Sequence, residues 1–153
     1  MKKPMLLATG AAIVLVIAAI YWIASPPRST DPNVIATNGL HWHPTIEVYV
    51  NGVRQPVPGN IGIGPAYAQA PGFDSRMGMA GMHTHDPDGT VHLEGAGTVT
   101  RDDITLGTFF QTWGKTFDDF GTKLNMTVNG TENTQGAAYE MQDGDQIVLS
   151  FFP

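Results

Sequence analysis

The five histidines of the chain all lie in two short segments, residues 41–43 and 83–92. Each segment contains a His-x-His pair, and on an extended strand side chains two residues apart project to the same side. Each pair can therefore offer two imidazoles to one ion. Neutral imidazole is a ligand for zinc, copper, nickel and iron. The clustering predicts a metal site built from His41, His43, His83, His85 and His92.

The arrangement of the second segment depends on its turn, Asp86-Pro87-Asp88-Gly89. This turn predicts a hairpin between residues 82–85 and 90–94. If Asp86 pairs with Gly89, one face carries three imidazoles and a carboxylate, from His83, His85, His92 and Glu94. If Gly89 forms a bulge and Asp86 pairs with Thr90, His92 turns to the other face, because a shift of one residue flips every side chain. The sequence leaves both registers open.

Three methionines, Met77, Met79 and Met82, run directly into this histidine segment. Thioether sulfur is a soft ligand that favours Cu(I) and offers little to zinc. The alternative is that these side chains pack a loop against the sheet. The Met/His stretch is similar to extracytoplasmic copper-handling proteins, and that resemblance implies copper as the bound ion, with zinc as the alternative.

Other chemistries have weaker support in the sequence. Asp86, Asp88 and Glu94 form part of a calcium-loop pattern, but their spacing departs from the EF-hand and Pro87 fits a plain turn. Any of the three carboxylates could serve as a general base beside a bound metal. The sequence contains no nucleophile elbow, no phosphate-binding glycine loop and no His-Glu-x-x-His motif. A hydrolytic or redox enzyme therefore ranks third among the hypotheses, and no catalytic residue is assigned.

Composition excludes several classes of protein. Fourteen acidic residues against eight basic ones give a formal net charge of −6, which disfavours nucleic acid as a partner because phosphate binding needs a positive surface. The chain has no cysteine, which excludes disulfides and thiolate metal sites. Any metal must therefore be held by histidine, methionine, carboxylate or backbone oxygen.

The N-terminal segment predicts a membrane anchor. Met5 to Ile23 contains no charged side chain and is long enough for one span. Lys2-Lys3 favours the cytoplasmic side, and Tyr21-Trp22 suits the far interface. A cleaved signal peptide is the alternative. We expect an N-terminus in the cytoplasm and a C-terminal domain outside the cytoplasmic membrane, with an anchor over residues 1–24, a Pro/Ser/Thr-rich tether over 25–38 and the domain over 39–153.

Alternating side chains and turn residues predict the elements that position the histidines. Ile46 to Val50 alternates as a strand, Asn51-Gly52 is a strong hairpin signal, and the return strand over 53–57 is interrupted by Pro56. Leu106 to Trp113 has apolar residues at helical spacing and a cap at Thr105. Two more strands are predicted over residues 124–128 and 146–152.

Four short motifs in this order resemble the ubiquitin-like β-grasp fold, and the small sulfur-carrier proteins are the nearest pattern. The motifs are Val50-Asn51-Gly52, Thr105-Leu106, Val128-Asn129-Gly130 and the segment from Met141 to Ile147. The resemblance implies an α+β fold with one main helix and a mixed sheet, in which residues 64–101 are an insertion with the histidine-rich hairpin. We expect no carrier activity, because the carriers end in Gly-Gly and this sequence ends in Ser-Phe-Phe-Pro.

Two functional hypotheses of different classes follow. The first is a membrane-anchored extracytoplasmic protein that binds copper and buffers it or delivers it to a membrane complex or copper enzyme. The second is an accessory or structural subunit of a larger membrane complex, with zinc or no metal. The candidate ligands are His41, His43, His83, His85, His92, Glu94, Met77, Met79 and Met82.

Overall fold

The computed structural model describes residues 29–153, so the predicted anchor at residues 1–24 lies outside the described residues. Within residues 29–153, no helix has the length and apolar character needed to cross a membrane. Residues 31–153 form one unit. The α+β class is confirmed, with one α-helix and three β-sheets in the described part of the chain.

Within residues 29–153, the α-helix is called α1 and the ten strands are numbered in chain order. Their bounds are β1 (Val34–Ala36), β2 (Leu40–Trp42), β3 (Thr45–Val50), β4 (Val53–Gln55), β5 (Met82–His83), β6 (His92–Gly95), β7 (Val99–Thr100), α1 (Leu106–Trp113), β8 (Lys123–Val128), β9 (Thr131–Asn133) and β10 (Gln146–Phe152). Four short 3₁₀ turns lie at Pro65–Tyr67, Asp102–Ile104, Phe117–Asp119 and Gly136–Ala138.

The largest sheet has five strands in the order β4–β3–β10–β8–β9. Its central pair, β3 and β10, runs parallel, and its other pairs are antiparallel. Asn51 and Gly52 have the positive φ values, 51° and 79°, that a tight two-residue hairpin requires. Strand β4 ends at Gln55, earlier than predicted, because Pro56 has no N–H to donate to the ladder.

Helix α1 forms where its sequence predicts it. The Thr105 hydroxyl accepts a hydrogen bond from the Thr108 N–H at 3.2 Å, and Gly114 closes the helix in the left-handed conformation with φ of 73°. The buried side chains of the helix join those of the sheet in one core. That core includes Ile46, Val48, Leu106, Phe109, Phe110, Ile147, Leu149 and Phe151.

A second sheet has three strands in the order β2–β6–β5, and both of its pairs are antiparallel. It joins the two histidine segments, because β2 carries the first and β5 and β6 carry the second. A further pair of strands, β1 and β7, includes residues 34–36, which the sequence analysis assigned to the tether. Val34-Ile35-Ala36 is a short apolar run, and the Pro-, Ser- and Thr-rich residues around it made the whole segment resemble a tether.

Candidate metal centre

The three-stranded sheet brings its histidines to one face. His83 lies directly opposite His92, and His41 lies directly opposite Glu94. Because side chains alternate along a strand, His92 and Glu94 share a face of β6 and Leu93 points to the other. The structure therefore adopts the first of the two registers that the sequence left open.

The opposite face of this sheet is apolar. Leu93 pairs with both Trp42 and Met82, and the side chains of Leu93 and Met82 are buried in the hydrophobic core. Met77, by contrast, is exposed, and the backbone of Met79 bridges to Ile63. The structure thus groups the histidines and places the three candidate methionines in three different environments.

Two sets of three histidines satisfy the geometry of a metal site. We call His83, His85 and His92 the inner triad, and His41, His43 and His92 the outer triad. In each triad, every histidine offers one ring nitrogen, and the three nitrogens all lie within 4.8 Å of one another. The ring of His92 lies 4.6 Å from that of His85 and 4.7 Å from that of His43, measured between centroids. The two histidine segments therefore meet at His92.

His83 has one ring nitrogen without a partner. Its side chain is completely buried, and its Nδ1 lies 3.0 Å from the carbonyl oxygen of Ala80. Since a carbonyl only accepts, Nδ1 carries the proton and donates it, which leaves the lone pair on Nε2. That Nε2 is buried and has no hydrogen-bond partner among the described residues. A buried polar atom without a hydrogen-bond partner lowers the stability of the fold. A ligand that binds this nitrogen would remove that cost.

The surroundings of His83 and His92 favour neutral imidazole. Burial lowers the pKa of His83. Burial also lowers the pKa of His92, and the neighbouring rings of His85 and His83 lower it further because like charges repel. Neutral imidazole is the form that binds metal, so both groups are ready to bind near neutral pH without first losing a proton.

Thr84 fixes the segment that carries His83 and His85. Its buried hydroxyl donates to the carbonyl of Pro58 at 2.8 Å and accepts from the N–H of Ile61 at 3.1 Å. Its own N–H and carbonyl bond to Ile61 and Asn60 at 3.0 and 2.8 Å. These bonds replace pairing with β6, which is why β5 ends at His83 rather than at the predicted residue 85.

Sequence reasoning missed this supporting role. A threonine between two histidines on an extended segment faces away from them, toward the core, where its hydroxyl must find a partner. That alternation was the available signal. The partner segment, residues 58–61, could not be deduced from it, because the segment lies far away in the sequence.

Two carboxylates support the outer triad. The Nε2 of His41 lies 2.9 Å from Oε1 of Glu94, and the same oxygen lies 4.0 Å from Nδ1 of His92. A carboxylate accepts a hydrogen bond from the N–H of one ring nitrogen and so directs the other nitrogen toward a metal, an arrangement common around metal-bound histidine. The backbone N–H of His43 donates to Oδ1 of Asp143 at 2.8 Å.

The turn that contains Asp143 is itself held by a buried carboxylate. Asp145 accepts hydrogen bonds from the Tyr139 hydroxyl and the Gln142 N–H, both at 2.7 Å, and from Asn129 Nδ2 at 2.9 Å. Burial and the hydrogen bond to Asp145 raise the pKa of Tyr139, so the Tyr139 hydroxyl stays protonated and continues to donate. The turn before β10 therefore positions one end of the histidine cluster.

These features define residues 31–153 as a small α+β domain with a cluster of five imidazoles on one face of its three-stranded sheet. Comparison with protein families, with curated proteins and with solved structures finds no match to this chain. Function is therefore inferred from the geometry and chemistry of the cluster.

Proposed function

We propose that this chain is a membrane-anchored, extracytoplasmic protein that binds one transition-metal ion at the inner triad and buffers or delivers that ion. The observation that carries the proposal is the buried Nε2 of His83, which has a free lone pair and no partner in the described part of the chain. A metal ion accepts such a lone pair directly. His85 and His92 supply two further imidazoles at the same place.

The local supports match those of a metal-binding histidine. The Nδ1–H of His83 donates to the backbone carbonyl of Ala80, and this hydrogen bond fixes both the tautomer and the direction of the ring. Thr84 fixes the backbone between His83 and His85 by four hydrogen bonds. Ligands held in this way need little reorganisation when an ion binds, which raises affinity.

Copper is the ion that we propose, and zinc is the alternative. Three imidazoles suit either ion and leave a further coordination position open for a ligand from a delivery partner. Support for copper comes from the methionine-rich run that precedes the histidines. Met77 is exposed, so its thioether sulfur is accessible to an ion from solvent.

The scaffold that we propose is a β-grasp domain with an insertion. The order β4–β3–β10–β8–β9, with a parallel central pair and a helix between the two outer hairpins, supports this assignment. The turn before β10 also contacts the first histidine segment, through the hydrogen bond between Asp143 and the His43 N–H. Fold by itself does not imply function, so the carriers' activity is not part of the proposal.

The test is a metal analysis of the full chain. The protein is purified in detergent without an affinity histidine tag, stripped with a chelator and titrated with Cu(I), Cu(II) and Zn(II), and bound metal is measured by mass spectrometry. We expect about one tightly bound ion per chain. The double variant His83→Ala with His92→Ala should lose it, whereas Gln111→Ala, on the exposed side of α1, should keep it.

Circular dichroism of each variant checks that it is folded. If the wild-type chain binds no more metal than the folded double variant, the proposal is wrong. That result would favour the accessory-subunit hypothesis, in which the domain serves to dock a larger membrane complex.

A further inference from the structure

The five imidazoles form a continuous path between solvent and core. Ring centroids are 4.5 Å apart from His41 to His43 and 4.7 Å from His43 to His92. They are then 4.6 Å apart from His92 to His85 and 4.9 Å from His85 to His83. An ion bound to any ring on this path therefore lies beside the next ligand.

The two ends of this path differ in exposure. The side chain of His41 is 61% exposed, that of His92 is 22% exposed, and His83 is completely buried. An ion arriving from solvent meets the outer triad with several imidazoles at once. On the inner triad, only His85 is exposed, so a direct approach meets a single accessible ligand first.

The two triads share His92, which limits how many ions they can hold. A neutral imidazole has one lone pair, so His92 can bind an ion in one triad at a time. Filling both triads together through His92 would require the loss of its one N–H proton, which would make it an imidazolate. One ion that changes triads requires no such loss.

We propose that the outer triad is a transfer site, through which a single metal ion enters and leaves the inner triad with His92 as the shared ligand. This inference rests on the proposed function. In the transfer, metal–nitrogen bonds to His41 and His43 break as bonds to His83 and His85 form. The ligands exchange as neutral imidazoles, with no electron transferred and no net change in protons.

Negative groups around the outer triad favour the first encounter. Glu94 binds Nε2 of His41, which leaves Nδ1 of His41 for an ion. Asp143 accepts a hydrogen bond from the backbone N–H of His43. The carboxylate of Asp88, which accepts a hydrogen bond from the Thr90 N–H at 2.8 Å, also interacts electrostatically with His92. Charges of one sign at a site attract cations and raise their rate of association.

A kinetic comparison of variants tests the transfer site. The full chain in detergent is mixed rapidly with Cu(II), loading is followed by tryptophan fluorescence, and extraction is followed with a coloured chelator in excess. In His41→Ala with His43→Ala, we expect both rates to fall by the same factor, about tenfold or more, and the equilibrium Kd to stay within about twofold of wild type. Gln111→Ala should change neither rate.

Each alternative gives a different result. Unchanged rates in His41→Ala with His43→Ala would mean that the ion passes through His85 and would overturn the inference. A weaker Kd with an unchanged loading rate would make His41 or His43 a permanent ligand and would also overturn it. Two ions per wild-type chain would overturn the shared-ligand argument. No ion on the wild-type chain would instead refute the proposed function itself.

Discussion

The two main sheets of this domain differ in what they bury. The five-stranded sheet and α1 bury an almost wholly apolar set of side chains, among them Phe109, Phe110 and Phe151. The three-stranded sheet adds apolar side chains to that core from one face, but on its other face it buries His83. Apolar burial stabilises the fold, whereas a buried imidazole with a free nitrogen costs free energy until a ligand binds. Stability therefore lies mainly in the first sheet and binding capacity in the second.

The two sheets also differ in how they are held. Strands β3, β8 and β10 are six to seven residues long and pair along their length, whereas β5 has two residues and β6 has four. The smaller sheet depends on contacts from other parts of the chain. Thr84 is bonded to residues 58–61, and His43 is bonded to Asp143. The histidine face is thus a site positioned by its surroundings.

The largest loss of unfolding free energy is expected from Phe109→Ala, in the helix that packs on the five-stranded sheet. Phe109 is completely buried, and truncation of a buried phenylalanine costs about 3–5 kcal/mol of unfolding free energy. Denaturant unfolding followed by circular dichroism measures the loss. The molecules that remain folded should bind metal with wild-type affinity. A cost below about 1 kcal/mol would show that α1 is not the main source of stability.

An intermediate loss of unfolding free energy is expected from Thr84→Val, between the two ligands His83 and His85. Loss of the hydroxyl leaves the Pro58 carbonyl and the Ile61 N–H without this partner, at a cost of about 1–3 kcal/mol of unfolding free energy. Metal affinity should fall as well, because Thr84 fixes the backbone between two ligands. Isothermal titration of the folded protein measures the affinity.

The matched control for that variant is Thr112→Val. Thr112 is also a buried threonine, but its hydroxyl donates to the carbonyl of Thr108 within α1. It should leave metal affinity unchanged. Equal losses of affinity in Thr84→Val and Thr112→Val would mean that the support we assign to Thr84 is only general stability.

The smallest effect is expected from acid on the metal-free protein. Because burial lowers the pKa of His83, the unfolded chain binds this proton more readily than the folded one. The stabilising contribution is present above the unfolded pKa of about 6.5 and is lost as pH falls through the lower folded value. Urea midpoints measured at several pH values should decline less steeply in His83→Gln. Identical pH profiles for both proteins would contradict this assignment.

Local signals predicted much of the larger sheet and its helix. The Asn51-Gly52 turn requires positive φ, and Thr105 and Gly114 delimit α1 by their capping chemistry, so these elements could be predicted from neighbouring residues alone. The smaller sheet carried weaker signals. Its histidines were recognisable by residue type and by the spacing of two within each pair.

The meeting of the two histidine groups could not be predicted in this way. It depends on the pairing of His41 with Glu94, between strands that are far apart in the sequence. The support of His43 by Asp143 joins residues 100 positions apart. Short strands with few apolar side chains leave such pairings weakly specified in a sequence, because several registers bury similar surface.

The most direct measurement of the central claim is an anomalous diffraction map of crystals of the full chain grown with copper or zinc. The account predicts one strong peak bonded to Nε2 of His83 at about 2.0–2.1 Å, with one ring nitrogen each from His85 and His92 at similar distances. A map in which this nitrogen has no metal, while ions bind only elsewhere or not at all, would contradict it.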